Sequence, residues 1–488
     1  MADAQEPMHP YGSRWQRLYH WLDRRTGIGS LLHEALDEPI PGGARWAYVF
    51  GSVLLFLFIS QTITGVALAL YYVPSADRAH TTVAYIVKEV TGGSFLRSLH
   101  AYGSSAIVIV VLFHLTQTYL YGAYKGRREL LWISGCVLLA LMLGMAFTGY
   151  LLPWDQKAYF ATTVGTNMAT DVPFIGGWLK RFMRGGNEMG TLTVSRFFVA
   201  HVFLIPAAVV AFIAAHVYLF RKAGAAGPPS EDPVNPQLPT QRFYPRQVVM
   251  DTVVALLMIL ILGSLAHFMP TELGPKANPA DTQYIPRPEW YYLPIFQWLK
   301  YWRGSYAIIG IIVIPAITAA LLVVVPFIDR RLERRPWRRP IAVCIFLLIL
   351  AGFVGMGLMS VRDDQRDPSI AKQVAKQREE TQQFMREPFE PEPAVGSLTA
   401  ANVALSDPLA ADGKKVYESE SCDACHGENG VGTAAAPKLT GATAQKPAEE
   451  LSDLLRHPTA KMLAGEMKPV DVSDEDLKAL VAYIKSLK

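Results

Sequence analysis

Cysteine is scarce in this chain: four occur in 488 residues, and two of them, Cys136 and Cys344, sit singly in apolar runs where only packing is open to them. Charge is scarce as well. Asp, Glu, Lys and Arg make up 18% of the residues, and the net formal charge of +4 is too small to mark a nucleic-acid binder. The first 45 residues lack the apolar core of a cleavable signal peptide. The stretch RWQRLYHWLDRR reads instead as an amphipathic segment on an inner membrane surface, with the first span as its own insertion signal.

What the chain has in quantity is apolar side chain, 51% of residues, gathered into long runs. Seven runs reach the roughly 20 residues needed to cross a bilayer. They lie near Trp46–Tyr72, Leu99–Tyr121, Leu130–Leu152, Phe197–Phe220, Val248–Met269, Ile308–Ile328 and Ile341–Met359. After residue 360 the composition turns charged and Pro-bearing, so a soluble tail follows the membrane domain. The basic residues cluster in alternate loops: Arg14, Arg17, Arg24 and Arg25, then KGRRE, then Arg221, Lys222, Arg242 and Arg246, then DRRLERRPWRR. The positive-inside rule makes that side cytoplasmic and puts the tail on the outer side.

Four of the eleven histidines fall inside spans in a paired pattern. His100 and His114 lie 14 apart on the second run, and His201 and His216 lie 15 apart on the fourth. At about 1.5 Å per residue each interval covers roughly 21–22 Å and close to four turns, so both members face one way. The two runs cross in the same direction. His100 therefore matches His201 near the outer surface, and His114 matches His216 near the inner one. An ionisable residue at membrane depth is costly without a partner. Facing imidazoles at two depths are what two bis-histidine haems need. A single buried, hydrogen-bonded histidine would need no ligand; four at matched separation argue for one. Gly51 and Gly65 on the first run and Gly135 and Gly149 on the third are again 14 apart. A missing side chain lets a backbone approach a flat ligand closely, though small residues also serve ordinary helix packing.

With the motifs GYLLPWDQKAYFATT after the third run and PEWYYLPIFQWL at 288–299, the chain resembles cytochrome b of the cytochrome bc complexes over roughly residues 20–360. It is similar most of all to the split, chloroplast-type form, whose two chains are here joined through AAGPPSEDPVNPQLP. The resemblance implies a quinol-oxidising pocket on the outer side, built from PWDQ (153–156) and PEWY (288–291), in which Glu289 accepts a proton from quinol and Tyr291 lines the pocket. A carboxylate among interfacial aromatics is the alternative for Glu289 alone. Asp251 stands where the family has an aspartate near the inner quinone pocket. Met250 occupies a position that is lysine in many members, a departure that leaves the proton route at this pocket unassigned. Arg97 and Arg221 are candidates for haem propionates or quinone, or for snorkelling at the interface. Chloroplast-type members attach an extra haem to a cysteine on the first helix; Val49 stands there, so that haem is expected to be absent.

In the tail, CDACH supplies C-x-x-C-H, the attachment motif for c-type haem: Cys422 and Cys425 for the thioethers, His426 for one axial position. A C-x-x-C pair alone could be redox-active or metal-binding. The preceding amphipathic helix and the closing SDEDLKALVAYIKSLK resemble a small class I cytochrome c, which implies a methionine as sixth ligand, Met467 or, failing it, Met462.

The expected architecture is all-α: an amphipathic segment (1–45), a di-haem four-helix domain (46–225), a three-helix domain (226–360), a polar linker (361–405) and a cytochrome c domain (406–488). The implied function is quinol:cytochrome c oxidoreduction in a bacterial cytoplasmic membrane. The expected partners are a separate Rieske iron–sulfur protein, whose cluster motif this chain lacks, a downstream cytochrome c or terminal oxidase, and a second copy of the chain. Two rival readings remain. A di-haem anchor of a dehydrogenase or hydrogenase also pairs histidines but lacks the PWDQ and PEWY combination. A seven-helix transporter or receptor would need no haem.

Overall fold

All seven apolar runs become helices long and apolar enough to cross a membrane. The computed structural model describes residues 13–230, 238–391, 408–427, 430–432, 436–441, 443–464 and 467–487, and divides the chain into two units, Met1–Glu390 and Pro391–Lys488. Much of the joining stretch AAGPPSEDPVNPQLP (231–237) lies outside the described residues. The first unit runs α1 (Arg14–Thr26), α2 (Ile28–Leu36), β1 (Pro39–Pro41), α3 (Phe50–Ala69), α4 (Ala79–Lys88), α5 (Gly93–Leu120), α6 (Glu129–Tyr150), α7 (Gln156–Met168), α8 (Gly176–Arg184) and α9 (Thr191–Ala223). It continues with β2 (Thr240–Arg242), α10 (Arg246–Phe268), α11 (Leu293–Leu299), α12 (Ile309–Ile328), α13 (Pro340–Arg366) and α14 (Pro368–Arg386).

The spans α3, α5, α6, α9, α10, α12 and α13 carry apolar side chains on their outward faces: Leu256 and Leu260 on α10, and Leu347, Leu348 and Ile349 on α13, are exposed. In water such faces would be costly; against lipid they are not. Inside, α3 packs on α5, α6 on α9, and α10 on α5. Val53, Leu57, Ala106, Ile107 and Val110 form the α3–α5 core, closed by Leu262 of α10. Val49 is buried in the same cluster.

Local chemistry sets the ends. Ser13 and Gln16 form a capping box on α1, and Gly27 closes it in the left-handed region. The short strands pair antiparallel, Ile40 opposite Gln241, and tie the N-terminal segment to the approach to α10.

Two expectations change. The polar linker expected over 361–405 is helical for its first part: α13 runs to Arg366, and the Asp367 carboxylate, accepting from the backbone N–H of Ser369 and Ile370, starts α14 at once. Polar composition hides the docking because the contacts gather at the end of the helix. Phe384, Met385 and Phe389 pack on Val83, Ala84 and Leu273, and Lys88 Nζ donates to the carbonyls of Phe384 (2.6 Å) and Glu387 (2.7 Å). Residues 392–405 lie outside the described residues. The fourth span, in turn, is not a uniform α-helix. Ala200–Leu204 winds as a π-helix, because Pro206 cannot donate to the Val202 carbonyl.

The second unit comprises α15 (Pro408–Ser419), α16 (Cys422–His426), α17 (Ala448–Arg456), α18 (Ala460–Ala464) and α19 (Asp474–Ser486). Helices α15 and α19 cross where a side chain on Gly413 would meet the Ala479 backbone. Leu451, Leu477, Leu480 and Ile484 form the core with Tyr417 and Tyr483.

Candidate functional site

The π-turn carries His201, and it resolves the unequal intervals. A π-turn accommodates one extra residue, so 15 residues on α9 bring His201 and His216 level with His100 and His114, which are 14 apart on α5. The His100 and His201 rings face each other with centroids 6.4 Å apart. That gap accommodates one metal atom with bonds of about 2 Å to a nitrogen of each ring. His114 and His216 form the second pair, close enough to interact electrostatically.

Three of these rings are anchored through Nδ1, the nitrogen that a metal-bound histidine uses for its supporting bond. His100 Nδ1 lies 2.9 Å from Thr64 Oγ1 and His216 Nδ1 2.8 Å from Ser134 Oγ. His201 Nδ1 donates to the Met145 carbonyl (3.1 Å), with Thr148 Oγ1 at 3.3 Å. Nε2 of each is thereby aimed away as a lone-pair donor, the form that ligates. The residues fit bis-histidine haem.

Each glycine singled out in the sequence faces one imidazole. A Cβ built on Gly65 would lie 3.1 Å from His100 Cε1 and one on Gly149 2.5 Å from His201 Cε1. On Gly135 it would lie 3.4 Å from His216 Cε1, and on Gly51 3.9 Å from His114 Cε1. The glycines clear space for the imidazole rings themselves. The hydroxyl anchors went unread in the sequence, although a signal was there: Thr64–Gly65, Ser134–Gly135 and Thr148–Gly149 are each a hydroxyl residue followed by glycine.

PWDQ and PEWY meet at the His100–His201 end. Trp290 Nε1 donates to Ser105 Oγ of α5 (3.4 Å), and the Tyr292 and Tyr150 hydroxyls bridge α6 and the motif through the Leu143 (2.9 Å) and Arg287 (3.2 Å) carbonyls. Tyr291 is buried between the rings of Trp290 and Tyr292, and burial, with Glu289 adding, pushes its phenol well above the ordinary range. PWDQ is held by a segment that sequence reading passed over, 274–278. The Asp155 carboxylate accepts from Ala158 N (2.8 Å), capping α7, and from Gly274 N (3.2 Å). Gln156 N donates to the Pro275 carbonyl (3.1 Å) and Ala277 N to the Trp154 carbonyl (3.2 Å). Behind it, buried His80 places Nε2 2.8 Å from the Gly274 carbonyl. Glu289 Oε1 pairs with Lys157 Nζ at 2.8 Å, a partner likewise passed over.

At the arginine-rich end, the Asp251 carboxylate accepts from Gln247 Nε2 (2.8 Å), whose amide oxygen accepts from Arg45 N (3.0 Å). Met250 and Arg246 line a cavity beside it. Arg221 pairs with Glu38 (3.4 Å) in a second cavity lined by His20, His33 and Asp37. Arg97 donates to the carbonyls of Thr271 (2.9 Å) and Glu272 (3.2 Å), stapling α5 to the chain after α10.

In the second unit, His426 Nδ1 donates to the Pro437 carbonyl (2.8 Å), which again fixes the ring with Nε2 presented. Cys422 and Met467 pack against the core beside it. Met462 lies on α18, and its carbonyl accepts from Met467 N (3.0 Å).

Helices that hold paired imidazoles at two levels, continued by a C-x-x-C-H module, define a multi-pass membrane cytochrome of mixed b and c type. A family model described as cytochrome b/b6/petB matches residues 35–224, one described as cytochrome b (C-terminal)/b6/petD matches 276–377, and a cytochrome c model matches 410–488. The cytochrome bc complex cytochrome b subunit of Chlorobaculum thiosulfatiphilum is 36% identical over 72% of this chain and 82% of its own length. The menaquinol:cytochrome c reductase cytochrome b subunit of Geobacillus thermodenitrificans is 38% identical over 43% of this chain and 98% of its own. A solved hyperthermophilic respiratory Complex III matches with a TM-score of 0.64 at 25% identity, over 75% of this chain and 96% of the matched one. The chain belongs to the cytochrome b family of bc complexes, with a cytochrome c domain at its C-terminus.

Proposed function

We propose that this chain is the electron-carrying subunit of a quinol:cytochrome c oxidoreductase that couples quinol oxidation to proton translocation. The observation that carries the reading is the docking of PEWY on the same two helices, α5 and α6, that hold or abut the His100–His201 pair. Quinol bound there would lie within a helical turn or two of the first carrier.

In this reading His100 with His201, and His114 with His216, hold two b haems, with Gly51, Gly65, Gly135 and Gly149 making room. Cys422, Cys425, His426 and Met467 hold one c haem. When bound, these groups supply one-electron carriers across and beyond the bilayer. Glu289 takes a proton from quinol, and the buried Tyr291 shapes the pocket wall. Asp251 serves a second quinone site at the arginine-rich end, and the pairing of Arg221 with Glu38 favours a structural role for that arginine. The Arg97 donors are engaged by backbone carbonyls, which favours a structural role. A Rieske protein accepts the other electron and passes it to the c domain or onward to a cytochrome c or oxidase, and the assembly is a homodimer. The arginine-rich end faces the cytoplasm of a bacterial inner membrane, and the c domain lies outside.

The test is haem quantified by type in the purified protein, with dithionite-minus-ascorbate and ascorbate-minus-oxidised spectra. Two b haems and one c haem are expected. A second c-type haem would overturn the inference drawn from Val49, and fewer than two b haems would return the dehydrogenase-anchor reading.

A further inference from the structure

Glu289 does not stand alone at the PEWY end. Lys157 reaches it from 132 positions away in sequence, Nζ to Oε1 2.8 Å, with both side chains partly exposed. This lysine is held on a prepared base. Its helix is capped by Asp155 and fastened to 274–278, and its ammonium lies 5.5 Å from the centre of the Tyr150 ring. The other charges nearby are engaged elsewhere. Arg287, two residues before Glu289, gives Nε and Nη2 to Asp364 of α13 and Nη1 to the Pro286 carbonyl (2.9 Å). Asp155 is committed to the backbone N–H of Ala158 and Gly274. Titratable neighbours include the phenols of Tyr150, Tyr284 and Tyr291, and around Tyr284 the carboxylates of Asp281, which accepts from Gln156 Nε2 (3.4 Å), and Glu380.

We propose that Lys157 is a positioning residue for quinol oxidation: its ammonium holds the Glu289 carboxylate in one orientation until quinol arrives. The proposal rests on the reading of Glu289 as the proton acceptor. A general base must lie within hydrogen-bond reach of the proton it takes, and a charge-assisted hydrogen bond fixes the direction of a carboxylate. The step is a proton transfer alone. The quinol O–H bond breaks, an O–H bond forms on Glu289, and negative charge passes from carboxylate to quinolate. Neutral Glu289 no longer attracts Lys157, so the ion pair opens as the proton arrives and re-forms once it is released to water.

The test is kcat and KM for quinol in quinol:cytochrome c turnover of the assembled complex for wild type, Lys157→Met, Lys157→Gln and Lys157→Arg, normalised to b haem. Loss of the ammonium should lower kcat by roughly tenfold or more, as misplacement of a reacting group does, with KM little changed. Lys157→Arg should restore kcat. Should Lys157→Met lose haem, Lys157→Gln is read in its place. Charge-removing variants with the kcat of wild type, or an arginine variant that fails to restore it, overturn the proposal. Glu289→Gln separates the two layers: retained turnover removes Glu289 as acceptor whatever Lys157 does, whereas lost turnover there with wild-type kcat in the Lys157 variants removes Lys157 alone.

Discussion

At the scale of single residues, the four glycines are not equivalent, although their spacing makes them look so. A methyl group on Gly149 would sit 2.5 Å from His201 Cε1 and 3.0 Å from its Nε2, inside any real contact. The same group on Gly51 would sit 3.9 Å from His114, an ordinary van der Waals distance. Overpacking of a well-filled site costs about 1–3 kcal/mol, and here the strain falls on the ring proposed to ligate a b haem. Gly149→Ala is therefore expected to lose most of one b haem in a pyridine haemochrome assay, and Gly51→Ala to keep both. Equal haem content in the two variants would mean that the rings shift without cost. The sequence made the histidines legible through their interval and the glycines through theirs. It did not make the closeness of each pair legible, because that depends on side-chain direction across two helices.

At the scale of elements, two features escaped periodicity for different reasons. The π-turn at Ala200–Leu204 leaves no mark on hydropathy, since every residue in it but His201 is apolar, and its cause is one proline five positions after that histidine. A second π-turn, Ile309–Val313, again precedes an Ile-Pro pair, Ile314–Pro315, so the sequence signal is local and recurs. Helix α14 escaped because its composition is polar and its anchorage comes from partners far away in sequence. His80 packs on Phe384 with ring centroids 5.1 Å apart while its Nε2 meets the Gly274 carbonyl. Burial holds the His80 imidazole below its ordinary pKa of 6.5, against the opposing pull of Gly274 and Asp155. The unfolded or undocked histidine then binds more protons than the docked one, so stability rises with pH. The contribution is complete above the ordinary value and drains away as pH falls below it. Hydrogen exchange of residues 368–386 and 273–276, corrected for intrinsic rates, is expected to quicken between about pH 7.5 and 5.5, the range bracketing free histidine. His80→Gln should remove most of that dependence; if the dependence persists unchanged, His80 is not its source.

For the whole molecule, the arginine-rich stretch 329–339 does more than supply charge to a loop. Arg334 is 2% exposed, and its guanidinium donates to the carbonyls of Tyr121 (3.2 Å), Ala226 (2.6 Å) and Gly227 (3.1 Å). Arg339 caps Tyr119 and Leu120 at the end of α5 and meets Asp329, while Arg128 serves Ala223 and Gly224 at the end of α9. Cations at helix C-termini complement the dipole, and Arg334 and Arg339 lock the chain before residue 230 to the chain after 320. That lock joins the regions matched by the two separate cytochrome b family models. The count and placement of these arginines were legible, but their burial was not, because topology rules read charge without saying which charge is spent on backbone. Arg334→Met and Arg338→Met remove the same charge from the same loop, yet Arg338 is exposed. Leaving buried carbonyls without a donor costs about 1–3 kcal/mol each. On heating, Arg334→Met should therefore lose its b-haem spectrum at a clearly lower midpoint than wild type, with Arg338→Met close to wild type. The c-haem spectrum should melt unchanged in both, since its core of Leu451, Leu477, Leu480 and Ile484 belongs to the other unit. Equal midpoints for the two variants would reduce the stretch to an orientation signal, and a joint fall of b and c signals would mean that the two units melt as one.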